Sequence, residues 1–202
     1  MRGLLLDALG STTEHIDLAD LVNRISSDAR ARAVGSVDPN YFASKSPQGV
    51  VRLRDHLQEN AFWGKCLYGA AADRYSRLLG AFGVAAIAVA LVAIPLAPHG
   101  QSLVVARILV TALSFGAALT QINEILSWRS AKSKIETVDR RLEVLAAFSE
   151  AQLMSQGLEA LFAVFGDYSV ATAMSPPVPG SIYLRQRQHL NTLWDEMRRQ
   201  GP

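Results

Sequence analysis

Residues 78–123 read LLGAFGVAAIAVALVAIPLAPHGQSLVVARILVTALSFGAALTQIN, 46 residues in which Arg107 is the sole formally charged side chain. Pro95, Pro98, His99 and Gly100 interrupt the run near its middle. The first part, residues 78–96, is 19 residues long. At about 1.5 Å per residue it reaches roughly 28 Å, close to a hydrocarbon core of about 30 Å. The second part runs from Leu103 to about Asn123, and Glu124 marks the return to polar sequence. Proline cannot continue the helical ladder and glycine admits a tight reversal, so the segment between them reads as a turn. The stretch therefore predicts an all-α fold built on a two-span transmembrane helical hairpin.

The competing reading is a buried helix pair inside a soluble α-domain. A chain of 202 residues has little material left to surround two such helices on every side. A secretory signal does not fit, because Leu4, Leu5 and Leu6 are cut short by Asp7 and the long apolar run lies far from the N-terminus. Lys65, Arg74 and Arg77 precede the first span and Arg129, Lys132 and Lys134 follow the second, whereas residues 95–102 carry no lysine or arginine. The positive-inside rule then places both termini in the cytoplasm. Cys66, the single cysteine, falls in a reducing compartment and reads as a small packing residue, with redox sensing as the alternative. The rest of the composition is unexceptional: half the residues are hydrophobic, 19% are charged, and the formal net charge is +2. No basic face stands out along the sequence, which argues against a nucleic-acid partner.

Outward from the hairpin, four regions follow: an N-terminal cytoplasmic helix and loop (1–49), a juxtamembrane helix (50–77), the hairpin (78–126) and a C-terminal cytoplasmic helical region (127–202). Within residues 11–33, Ile16, Leu18, Leu21, Val22 and Ile25 give an imperfect apolar face behind possible caps at Ser11, Thr12 or Thr13. Turn chemistry recurs at Asp38-Pro39-Asn40 and at residues 45–49. From Val50 the pattern is helical again, with Leu53, Leu57, Ala61, Gly64, Leu67 or Tyr68, Ala71 and Tyr75 near one face, and no proline precedes the membrane. One helix rising into the first span is the simplest outcome. After Trp128, at the expected interface level, the run Ile135, Val138, Leu142, Leu145, Phe148 continues through Ala151, Met154, Leu158, Leu161 and Phe165 at steps of three and four. This predicts one long amphipathic helix capped at Gly166. Residues 175–180 form a proline-rich connector, and Tyr183, Leu190, Leu193, Trp194 and Met197 mark a final amphipathic helix.

Chemistry is sparse. His15, His56, His99 and His189 are scattered, and no paired cysteines, phosphate loop or nucleophile elbow is present, so neither enzyme, metal nor cofactor is expected. Gln58, Glu59 and Asn60 are candidates for contact with a ligand or partner, or are simply a solvated helix face. Trp194, with Leu190 and Leu193, is a second candidate for partner contact. The sharper signal lies in the second span: at about 100° per residue, Arg107, Thr111, Ser114 and Gln121 fall near one line down the helix, together with Ala118. A polar stripe within a bilayer faces a protein interior or a water-filled path, which makes these four residues candidates to line a pore. The alternative is local: Arg107 can snorkel outward, and Thr111 and Ser114 can bond back to their own helix.

The order of cytoplasmic helix, two-span hairpin and long cytoplasmic helix resembles the SLATT group of small bacterial membrane effectors. Two stretches are also similar to the related four-transmembrane effectors encoded beside cyclic-oligonucleotide synthases. One is Asn40-Tyr41-Phe42-Ala43-Ser44-Lys45-Ser46-Pro47 followed by Leu57-Gln58-Glu59-Asn60-Ala61-Phe62-Trp63, and the other is residues 175–183 with Trp194 downstream. The resemblance implies a homo-oligomeric, pore-forming or membrane-disrupting protein of the bacterial inner membrane. It would act in CBASS-type antiphage defence, triggered by a cyclic nucleotide signal or a nucleotide-sensing protein. A membrane-anchored, non-enzymatic scaffold that docks a cytoplasmic partner is the alternative function.

Overall fold

A computed structural model describes Ala8, Ser44 and residues 46–96 and 101–200; the side chains at 89–96, 101–115, 117 and 200 fall outside the described residues. So do the expected helix at 11–33, the turn at 38–40 and most of the reversal between the two apolar segments. The described residues are helical, without a strand. Helix α1 is Val50–Leu96, α2 is Gln101–Ala146, α3 is the short Glu150–Gln152, α4 is Leu158–Ala173 and α5 is Gly180–Gln200. A π-helical turn, Leu153–Gly157, joins α3 to α4. Among the described residues no helix is long and apolar enough to cross a membrane.

The chain divides into two compact units. Unit one holds Met1–Ala61 and Val138–Ser169, and unit two holds Phe62–Thr137 and Val170–Pro202.

In unit one, α1 begins where Gly49 places its carbonyl to accept from the Leu53 amide at 3.1 Å. Gly49 has φ +151°, a backbone angle that side-chain-bearing residues rarely adopt. Beyond it Val50, Leu53, Leu57 and Ala61 are buried at helical spacing, as the pattern predicts, and so are Val138, Leu142 and Leu145 on α2. The Arg54 guanidinium donates to the Leu145 carbonyl at 3.5 Å, tying the first turns of α1 to the last of α2.

The expected single helix from Ile135 to Phe165 is not what forms. α2 ends at Ala146, and Ser149 restarts the chain through a capping box: its hydroxyl accepts from the Gln152 amide while the Gln152 side chain accepts from the Ser149 amide. The π-helical turn then inserts extra backbone and rotates the apolar face. Leu153, Leu161, Val164 and Tyr168 are buried, whereas Ala151 and Met154, expected inside, are exposed. Gly157 is buried in that turn, where an added Cβ would stand 2.8 Å from Leu153 Cδ1 and 3.2 Å from Phe148 Cδ2. Gly166 does not cap anything; it is an exposed position inside α4, which continues to Ala173 before Ser175 and the prolines end it.

In unit two, α1 and α2 run antiparallel: Gly69 faces Lys132, and the Tyr75 ring packs at a tilt of 44° against Trp128 with ring centroids 4.9 Å apart. Ala71, Ala72, Ile125, Trp128 and Ile182 form one buried cluster, and Val178 from the proline-rich connector packs onto it. Phe62, Leu190 and Trp194 form a second, which docks α5 on α1.

Candidate functional site

Two features of unit two stand out, and the first is where burial stops. Along α1 the last buried positions are Ala71 and Ala72, and residues 81–88, Ala-Phe-Gly-Val-Ala-Ala-Ile-Ala, are exposed without exception. Eight consecutive residues cover more than two helical turns, so every side of the helix is apolar there and none is covered by the described residues. Phe82, Val84 and Ile87 are 72%, 70% and 63% exposed. On α2, Leu119, Ile122 and Leu126 are exposed on one side of the helix, while Ile125 is buried.

The second feature is a groove of about 560 Å³ bounded by α1, α2 and α5. Lys65, Arg74 and Arg77 reach it from α1, Lys132 from α2, and Arg185 and His189 from α5. Against these five lysines and arginines stand two carboxylates, Asp73 and Glu136. Glu136 is engaged by Lys132 at 3.5 Å, one helical turn away. Arg77 donates through Nε to the Asp73 carbonyl at 3.3 Å. Arg74 Nη1 is buried and meets no hydrogen-bond acceptor among the described residues. Gly69 keeps one wall low: the Lys132 side chain lies across it, with Cδ 3.4 Å from where a Cβ would be. Ala70, Ile182, Leu190 and Leu193 supply apolar lining.

The structure distributes the sequence candidates unevenly. Arg107, Thr111 and Ser114 belong to α2, but their side chains fall outside the described residues. Gln121 is half-buried, and one residue before it the Thr120 hydroxyl donates back to the Gly116 carbonyl at 3.1 Å. Gln58, Glu59 and Asn60 lie in unit one and are half-buried or buried. Asn60 is tied at both ends: its amide Nδ2 donates to the His56 carbonyl at 2.7 Å, and its own carbonyl accepts from the Tyr168 hydroxyl at 3.3 Å. Trp194 is 9% exposed, with its ring 5.3 Å from that of Phe62. It and Leu190, 3% exposed, fasten α5 to α1, so the pair is an internal joint of unit two.

The groove went unread in the sequence because its cations are far apart in the chain, at 65–77, 132 and 185. The lysines and arginines flanking the apolar run 78–123 are its visible signal in the sequence. Among the described residues no group of three or more His, Cys, Asp or Glu side chains is placed to hold a metal ion. No family model, curated protein or solved structure matches the chain.

Proposed function

We propose that this chain is a bacterial inner-membrane effector whose apolar segments insert as a two-span hairpin with both termini cytoplasmic. It assembles with copies of itself and breaches the bilayer when a nucleotide signal or a sensing partner triggers it, with no chemistry of its own. The observation that carries this reading is the uncovered apolar collar of residues 81–88 on α1, matched by Leu119, Ile122 and Leu126 on α2. Leaving large apolar side chains in water forfeits roughly 1–2 kcal/mol each, and a helix that is apolar all round calls for lipid or protein on every side. The 46-residue run with one charge supplies the length for two crossings. The polar line of Arg107, Thr111, Ser114 and Gln121 supplies a path once several hairpins assemble. The scaffold reading loses ground, because Leu190 and Trp194, the residues it would offer to a partner, are occupied in holding α5.

The test is membrane potential and dye entry in bacteria under titrated expression, comparing the wild type with the Arg107→Leu, Gln121→Leu double variant at matched membrane abundance. Depolarisation by the wild type alone is the expected result. Equal depolarisation by both removes the stripe as the path, and depolarisation by neither returns the scaffold to first place.

A further inference from the structure

We infer that the groove bounded by α1, α2 and α5 is a binding site for a phosphate ester, its phosphate held by Arg74 and Arg185. The inference does not rest on the pore reading, since it concerns a site outside the apolar segments. Three helices bring five lysines and arginines to one groove of about 560 Å³ in a chain whose formal net charge is only +2. Helix packing fixes these cations together, and their mutual repulsion is relieved by an anion in the groove.

Arg74 carries the argument furthest. Its Nη1 is buried with no acceptor among the described residues. A buried donor left without a partner is uncommon in a folded protein and marks a place where a ligand completes the set. The nearby carboxylates do not fill that role: Glu136 is engaged by Lys132, and Asp73 is an exposed residue. Guanidinium groups offer phosphate oxygens paired, charge-assisted hydrogen bonds, which favours a phosphate over a single-point anion. The apolar lining from Ala70, Ile182 and Leu193 calls for an organic portion on the ligand, and a 560 Å³ groove accommodates one. Two sources share this chemistry. One is a phospholipid headgroup, because Arg77 immediately precedes the apolar run at Leu78. The other is a soluble phosphate ester.

The experiment is equilibrium binding to the full-length protein in a neutral detergent, with dioctanoyl phosphatidylglycerol and 5′-AMP as separate probes and dioctanoyl phosphatidylcholine as the lipid control. The wild type is expected to bind phosphatidylglycerol over phosphatidylcholine, or AMP, at submillimolar concentration. Arg74→Gln is expected to weaken that binding at least tenfold, as for loss of a charge-assisted hydrogen bond. Arg185→Gln, at an exposed position, should weaken it severalfold, and Arg199→Gln, outside the groove, should leave it unchanged. Preference for phosphatidylglycerol assigns the site to a lipid headgroup; binding of AMP alone assigns it to a soluble ester. Absence of binding by both probes up to millimolar concentration, or equal weakening by Arg185→Gln and Arg199→Gln, overturns the inference.

Discussion

Helix α1 passes through two environments, and they obey different rules. From Val50 to Ala61 its buried apolar residues, Val50, Leu53, Leu57 and Ala61, recur at steps of three and four. From Ala81 to Ala88 there is no stripe, because no position is buried and none is polar. α2 repeats the contrast in reverse: Leu119 and Ile122 are exposed, whereas Trp128, Ile135 and Leu142 are buried. An amphipathic stripe reports a helix with protein on one side and water on the other. A uniformly apolar surface reports a helix whose surroundings are apolar on every side, and the described residues supply no such surroundings at 81–88.

The largest break in this contrast comes from charging the collar. Val84→Arg with Ile87→Asp adds about 6–8 kcal/mol to the transfer of α1 into a bilayer, so the variant should move from the membrane fraction to the soluble or aggregated fraction on carbonate extraction. The packed region should respond to volume instead. Leu142 is fully buried in unit one, and Leu142→Ala should lower stability by about 2–5 kcal/mol in a denaturant titration of detergent-purified protein. Phe82→Ala, despite removing a larger side chain from the collar, should change it by less than about 0.5 kcal/mol. Gly157→Ala forces a Cβ against Leu153 and Phe148 and should cost about 1–3 kcal/mol, read as a lowered Tm. Smaller than either packing change is Tyr168→Phe, which removes the hydrogen bond to the Asn60 carbonyl and should cost about 1 kcal/mol in the same assay.

The same contrast explains what could be read from the sequence. The helix from Val50 and the stripe Ile135, Val138, Leu142, Leu145 were legible because each position repeats a period that one packed face imposes. The break after Ala146 was hidden because Phe148 and Ala151 happen to continue that period across it. Its local sign, Ser149 followed three residues later by Gln152, was present in the chain all the same. A π-helical turn leaves no periodic mark, so the exposure of Met154 and the helical place of Gly166 could not be seen in advance. The sequence around Asn60 gives no sign of its partner, because Tyr168 is more than a hundred residues away. The groove was invisible for the same reason: charge converges there in space, not along the chain.

The central claim is that residues 81–88 meet lipid while the packed region meets water. The most direct measurement is thiol labelling in inverted inner-membrane vesicles with a membrane-impermeant maleimide, in a Cys66→Ala background. Val84→Cys, in the collar, is compared with Glu143→Cys, an exposed position of unit one. The account predicts that Glu143→Cys labels at least tenfold faster, even though Val84 is 70% exposed in the isolated chain. Equal labelling rates at the two positions would contradict it.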